Sequence, residues 1–197
     1  VWTLINGGPG SGIHKTNDGG VTWREIKSDV PGGDLGRIGL AMAPSQPNMI
    51  YAIIEADEKG KGVYRSTDFG ESWEKRSDYM TTSPQYYNEL IVDPNDPDVV
   101  YSMNTFTNRT EDGGKTWKRI SIESRHVDDH ALWIDPDNSS HMFIGGDGGV
   151  YETWDRGDTW RHVTNLPVVQ YYRATPDNDT PFYNVCGGTQ DNSSQCG

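Results

Sequence analysis

An all-β fold is predicted for this 197-residue chain from three observations. The pattern Ser/Thr-x-Asp-x-Gly-x-Ser/Thr-Trp occurs four times, the segments between its copies repeat a strand-turn-strand pattern, and turn-forming residues punctuate the whole chain. The four copies are "TNDGGVTW" (16–23), "STDFGESW" (66–73), "TEDGGKTW" (110–117) and "TWDRGDTW" (153–160). Clusters of Asn, Asp, Gly and Pro between short apolar runs are typical of strands joined by tight turns, and no long amphipathic helical pattern interrupts them.

The composition excludes several classes of function. Hydrophobic residues make up 33% of the chain, and no apolar run is long enough to predict a membrane span. The net charge is -12, from 17 basic and 29 acidic side chains, and the basic residues form no stripe. Nucleic acid and anionic membranes are therefore not expected as partners, and the charge leaves neutral and cationic ligands open.

The spacing of the four copies predicts the architecture. The Asp residues of the pattern are Asp18, Asp68, Asp112 and Asp155, which stand 43 to 50 residues apart. That period is the length of one β-propeller blade. The segments 38–54, 88–104 and 130–146 each read as strand, Asp/Pro/Asn turn and strand. Together with the strand before each copy of the pattern and the strand that starts at its Trp, every repeat supplies four antiparallel strands.

The predicted blades follow from these repeats. They comprise a partial blade at 1–29, three blades at about 36–77, 86–121 and 130–163, and the start of a further blade at 168–197. A partial set of blades leaves open sheet edges. We therefore expect this chain to be part of a larger propeller or to close a ring with other chains, and the absence of a signal peptide from a chain that starts on "VWTLIN" favours a fragment or a processed product.

The repeated turn has a structural explanation. Its Ser/Thr and Asp side chains can hydrogen-bond the turn's own backbone, Gly supplies unusual dihedral angles, and Trp packs back under the hairpin. Loss of one such hydrogen bond costs about 0.5–1.5 kcal/mol, and truncation of a buried Trp costs about 3–5 kcal/mol. The four turns are predicted to be scaffold rather than active site.

These motifs resemble the Asp-box, or bacterial neuraminidase, repeat of sialidases, xyloglucan-acting glycoside hydrolases and the sortilin propeller. Segments outside the boxes, such as "QYYNELIVDPNDPDVVY" (85–101) and "HVDDHALWIDP" (126–136), resemble large secreted bacterial proteins described as sortilin-like or glycosyl-hydrolase repeat proteins. The resemblance covers essentially the whole chain and implies an Asp-box propeller. It implies less about function, because hydrolases and pure binding proteins share the box.

The residues just before each repeated "DP" strand are the predicted site, since the innermost strands of a propeller line its central channel. The candidates for ligand binding there are Arg37, Tyr86, Tyr87, His126, His130, Tyr171, Tyr172 and Arg173, and Gln190 is a further candidate in the Gly-flanked loop 188–192. The Tyr pairs suit stacking on sugar rings, with channel packing as the alternative. The loop around Gln190 suits a polar ligand or contact with a neighbouring blade.

The run "HVDDH" (126–130) is the densest group of ionisable side chains. If it is extended, His126, Asp128 and His130 share one face. Such a group could bind a transition metal, act as an acid/base pair, or fix the loop by hydrogen bonds, and the sequence leaves all three open. Calcium at the Asp-rich turns 93–98 and 135–138 is a further alternative, and no cofactor is required.

Catalysis is a second open point. Glycoside hydrolysis needs two carboxyl groups, for which Asp128, Asp129 and Glu89 are the candidates. True sialidase chemistry is disfavoured, because Arg37 and Arg173 are the only arginines near the starts of inner strands. The sequence does not decide whether Cys186 and Cys196 form a disulfide, and chance explains the four Asn-x-Ser/Thr sequons.

The function predicted is a secreted, extracellular or periplasmic module that binds, and in one alternative hydrolyses, polysaccharide at the channel mouth. The competing prediction is a sortilin-like propeller that captures peptides or proteins, or a structural component of a surface assembly. Glycan, further blades and other chains of one assembly are therefore the expected partners.

Overall fold

The computed structural model describes residues 2–4, 7–8, 10–166, 171–189 and 193–197. These residues form antiparallel β-sheets and contain no α-helix, so the predicted all-β class is confirmed. A search of the same residues for a helix long and apolar enough to cross a membrane finds none. Two compact units are present, at 1–163 and 164–197, and each is described by itself.

The first unit holds four sheets, and in each of them consecutive strands are neighbours. The first sheet consists of β1 (Trp2–Leu4), β2 (Ile13–Lys15) and β3 (Arg24–Ile26). The second consists of β4 (Ile38–Met42), β5 (Ile50–Ile54), β6 (Gly62–Ser66) and β7 (Glu74–Ser77). The third consists of β8 (Leu90–Val92), β9 (Val100–Ser102), β10 (Asn108–Thr110) and β11 (Lys118–Arg119). The fourth consists of β12 (Asp129–Asp135), β13 (Asn138–Gly146), β14 (Gly149–Thr153) and β15 (Arg161–His162).

The second unit holds one sheet of three described strands: β16 (Tyr171–Pro176), β17 (Val185–Thr189) and β18 (Ser194–Cys196). Cys186 lies directly opposite Cys196 across β17 and β18, and the two are joined by a disulfide. The ten-residue separation that left this bond open in the sequence is therefore spanned by adjacent strands.

The core of the first unit lies between successive sheets. Ile13 and Ile26 of the first sheet pack with Ile38, Ile54 and other residues of the second. Equivalent clusters join the second sheet to the third, around Tyr51 and Val100, and the third to the fourth. The middle sheets are therefore covered on both faces, which explains why every residue of β5 is buried.

The repeated turns have the predicted hydrogen bonds to their own backbone, since the Gly70 amide donates to the Ser66 hydroxyl at 2.8 Å and the Ser72 amide donates to the Asp68 carboxylate at 3.0 Å. Bonds between side chains are added to these. In the second copy the Ser66 hydroxyl donates to Asp68 at 2.7 Å, and the Ser72 hydroxyl donates to the same carboxylate at 2.6 Å. The other three copies repeat both bonds within 0.1 Å. The bonds from Ser72 lower the pKa of Asp68 to about 2, because they stabilise the charged form.

The same turns also tie neighbouring sheets together. The residue after the Asp has a left-handed backbone in all four copies, with φ of 75° at Gly19, 60° at Phe69, 67° at Gly113 and 60° at Arg156. In the last three copies its carbonyl accepts a hydrogen bond from a cation of the preceding sheet. The pairs are Lys15 to Phe69 (2.8 Å), Arg76 to Gly113 (2.8 Å) and Arg109 to Arg156 (2.7 Å).

Candidate functional site

The starts of β4 and β8 meet through direct backbone contact. A Cβ atom at Gly39 would lie 1.6 Å from the carbonyl oxygen of Asn88, so only glycine fits at this position. The buried Asn88 side chain donates to the carbonyl oxygen of Arg37 at 2.9 Å and accepts from the Thr81 hydroxyl at 2.8 Å. These bonds fix the segment 85–88 beside Arg37.

Arg37 positions the loop that precedes β8. Its guanidinium donates to the carbonyl oxygens of Gln85 at 3.0 Å and Tyr86 at 3.2 Å. Donors used on backbone carbonyls are less available for a ligand. The contacts therefore favour a positioning role for Arg37.

Tyr87 is the buried member of the site, with 8% of its surface exposed. Its hydroxyl donates to the carboxylate of Asp128 and accepts from the Thr105 hydroxyl at 3.4 Å. Burial, together with the bond to Asp128, raises the pKa of Tyr87 to about 12. The phenol is therefore neutral and holds Asp128 in place.

Tyr86 and His130 complete an aromatic surface around Tyr87. The His130 ring stacks on Tyr87 with centroids 6.0 Å apart and meets Tyr86 edge-on at 5.7 Å. Its Nε2 lies 3.1 Å from a carboxylate oxygen of Asp147. Tyr86 is 65% exposed, so its ring is open to a ligand. We call Tyr86, Tyr87 and His130 the aromatic platform.

The segment 126–128 is not the extended edge predicted from the sequence. Strand β12 begins at Asp129, and Asp128 has a φ of 66°. The kink lets the carbonyl oxygen of Asp128 accept from the Asp147 backbone at 3.2 Å while packing against Gly146, which has no side chain in the way.

The side chains of that segment consequently reach different partners. His126 contacts its neighbour's carbonyl oxygen at 2.6 Å through Nδ1, Asp128 reaches Tyr87, and His130 reaches Asp147. Within the described residues no three His, Cys, Asp or Glu side chains are grouped to hold a metal ion. The prediction that His126, Asp128 and His130 share one face is therefore corrected, because the three side chains have separate partners.

Asp129 is part of a buried ion pair. Both of its oxygens contact the Arg125 guanidinium, at 2.5 and 3.0 Å, and the Thr107 hydroxyl donates to it at 2.7 Å. The side chains of Arg125 and Asp129 are 0% and 3% exposed. With both oxygens occupied in the interior, Asp129 is held as a structural anchor for the start of β12.

Glu89 is exposed just before β8, and its carbonyl oxygen accepts from Met103 at 3.0 Å. The second unit places Tyr171, Tyr172 and Arg173 on β16, all exposed, with Tyr171 donating to Gln195 at 3.3 Å. Gln190 lies outside the described residues.

Sequence reasoning missed two members of the site, Asp147 and Thr105. Asp147 lies in the Gly-rich hairpin turn between β13 and β14, where "GGDGG" reads as a turn alone. A signal was present, since this hairpin ends at the same edge of the sheet where β12 starts. Thr105 lies in the loop after β9, where its hydroxyl donates to that of Tyr87.

The sheets and the repeated turns define a protein class: an Asp-box β-propeller built from four-stranded antiparallel blades. Solved structures share this fold. A GH74 enzyme of Niastella koreensis superposes on 94% of this chain and 32% of its own, with a TM-score of 0.60 and 16% identity. A structure described as YCF48 bound to D1 peptide superposes on 99% of this chain and 60% of its own, with a TM-score of 0.54 and 18% identity.

Within that class, the chain belongs to the family described as photosynthesis system II assembly factor YCF48, which matches residues 58–188. A xyloglucanase of a Paenibacillus species is 27% identical over 182 residues, which cover 80% of this chain and 17% of that protein. The chain spans about a fifth of the length of the curated xyloglucanases it matches.

Proposed function

We propose that this chain is a secreted propeller module that binds polysaccharide on the aromatic platform. The carrying observation is the exposed ring of Tyr86, which Tyr87 and His130 hold at a fixed angle. A ring fixed in this way loses little conformational freedom when a sugar stacks on it, so more of the stacking energy appears as affinity.

Polar groups beside the platform suit a sugar's hydroxyl groups. Asp128 and Asp147 are each held by one aromatic partner, through Tyr87 and His130. A carboxylate has about four acceptor sites, so each retains capacity for further donors. The similarity to xyloglucanases supports a glucan backbone as the ligand class.

Binding without hydrolysis is the form of the proposal that the geometry favours. Hydrolysis requires two available carboxyl groups on either side of the scissile bond. Asp129 is committed to Arg125, and Asp128 is bonded to Tyr87. Glu89 is exposed, but the contacts of Asp128 and Asp129 leave it without an evident partner for this chemistry.

Affinity electrophoresis in gels containing xyloglucan tests the proposal. Retardation of the wild-type chain should be lost in Tyr86→Ala and kept in Trp133→Ala, which removes an exposed aromatic side chain from the face of the fourth sheet. Equal retardation of both variants would contradict the proposed site, and no retardation of the wild type by any of several polysaccharides would contradict the function.

Peptide binding is the second candidate. It is favoured by the family match and by the similarity to the structure of YCF48 bound to D1 peptide. The platform and its two carboxylates would then hold an aromatic or cationic side chain. Titration with D1 peptide, using the same two variants, distinguishes this alternative, because peptide binding without retardation by polysaccharide would favour it.

A further inference from the structure

A cavity of about 370 Å³ lies between the first and second sheets, beneath the loop that joins β3 to β4. This volume falls within the range of small-molecule sites, about 300–1,000 Å³. The residues that line its buried wall are Ser11, Ile13, Ile26, Leu35, Ile38 and Ile54. None of the residues of the aromatic platform lines it, so this inference is independent of the proposed function.

The internal repeat shows what is missing from this loop. The loop after β3 runs from 27 to 37, and the corresponding loop after β7 runs from 78 to 89. Tyr79 and Met80 pack against the core between the second and third sheets, and the Tyr79 ring stacks on Trp117 with centroids 4.3 Å apart. The first loop, "KSDVPGGDLGR", contains no aromatic residue.

Two glycines, Gly32 and Gly33, follow Val30 and Pro31 in the cavity roof. The first loop therefore brings no aromatic ring to the space between its sheets, and the cavity remains open beneath it.

Ser11 places a hydroxyl group in this apolar wall. It is 6% exposed, and among the described residues its hydroxyl has no hydrogen-bond partner. A buried hydroxyl without a partner is costly, and a ligand hydroxyl would satisfy it. At the mouth, Glu25 is paired with Lys27 at 2.8 Å and Asp34 is exposed, so the entrance disfavours anions.

We propose that this cavity binds a phenolic ring. The ring packs against the isoleucine wall, and its hydroxyl group bonds Ser11. A free small phenol and the side chain of a tyrosine in a peptide offer the same chemistry.

Saturation-transfer NMR and titration of the whole chain test the proposal with 4-methylphenol, toluene and benzoate. We expect saturable binding of 4-methylphenol and exclusion of benzoate. Ser11→Ala should weaken 4-methylphenol about two- to tenfold, the value of one hydrogen bond, and leave toluene unchanged. Ser28→Ala, at an exposed position in the same loop, is the matched control.

A second variant fills the cavity from the roof. Val30→Tyr brings an aromatic ring from the roof into the cavity and should abolish binding of 4-methylphenol while raising the melting temperature. Val21→Tyr adds the same ring at a position that is 82% exposed and should change neither quantity. The proposal is overturned if the wild type shows no saturable binding of 4-methylphenol or if Val30→Tyr binds it with wild-type affinity. It is also overturned if Ser11→Ala keeps the wild-type ratio of affinities for 4-methylphenol and toluene.

The source of the ring is read from a parallel titration with capped tyrosine, N-acetyltyrosinamide. Binding at least as tight as that of 4-methylphenol assigns the cavity to a tyrosine of a peptide. Binding of 4-methylphenol alone assigns it to a free phenol, and both results support a phenolic site.

Discussion

The Tyr87 hydroxyl donates its hydrogen bond to the carboxylate of Asp128, which joins the start of β8 to the start of β12. The two residues come from consecutive sheets and lie 41 positions apart in the chain. The bond holds the aromatic ring of Tyr87 under Tyr86 and fixes a carboxylate at the rim of the platform.

Tyr87→Phe should separate the structural role of this bond from ligand binding. The variant keeps the ring but leaves Asp128 without a donor, so we expect the free energy of unfolding to fall by about 0.5–1.5 kcal/mol with the platform intact. Denaturant titration measures the loss, and Tyr183→Phe, at an exposed position, is the control. A loss of polysaccharide retardation in the folded variant would show that the Tyr87 hydroxyl itself contacts the ligand.

The buried ion pair of Arg125 and Asp129 predicts a large effect on stability. Arg125→Met leaves a buried carboxylate without its partner, and we expect a loss of about 3–5 kcal/mol in the free energy of unfolding. Lys118→Met, at an exposed position of β11, should change it by less than about 0.5 kcal/mol. Equal melting temperatures of the two variants would refute the anchoring role given to Asp129.

The hydrogen bond from Arg109 to the repeated turn of the fourth sheet predicts a moderate contribution to stability. Arg109→Met removes the bond to the carbonyl oxygen of Arg156, and we expect a cost of about 1.5–3 kcal/mol, as for a hydrogen bond to a charged group. Urea denaturation should show this loss but none in Lys115→Met, whose exposed side chain lies in the preceding turn. If Arg109→Met unfolds at the wild-type urea concentration, the tie between the third and fourth sheets contributes nothing.

Acid should destabilise the protein through its repeated turns. The folded-state pKa of Asp68 is about 2, below its usual value of 3.8, so its contribution is fully present above that usual value and is lost as the pH falls towards 2. The Asp residues of the other three copies are shifted in the same direction. Thermal melts between pH 5 and 2 should show a shallower decline in Asp68→Asn than in the wild type, and parallel curves would contradict the assignment.

The scaffold is more predictable from the sequence than the site. The Asp-box pattern encodes bonds within eight residues, so the sequence alone predicts that the Asp68 carboxylate bonds the turn's own backbone. The site depends on contacts between distant segments. Side chains along "HVDDH" would alternate between two faces only if the backbone were extended. The left-handed φ of Asp128 shows that the backbone is not extended there.

The positions of Asp147 and Asp129 explain the remaining differences between the predicted site and the observed one. Asp147 lies in a glycine-rich turn, and its approach to His130 depends on how β12 pairs with β13. Asp129 is a catalytic candidate in the sequence because a carboxylate at a strand start is often exposed. Its burial against Arg125, four residues earlier in a loop, follows from no period in the sequence.

Isothermal titration of a xyloglucan oligosaccharide into the wild type, Tyr86→Ala and Trp133→Ala tests the central claim most directly. Loss of one stacked ring removes about 0.5–1.5 kcal/mol beyond its buried area, so we predict a Kd that is weaker by about twofold to tenfold in Tyr86→Ala and unchanged in Trp133→Ala. An oligosaccharide that binds all three proteins with the same Kd would contradict binding on the platform of Tyr86, Tyr87 and His130.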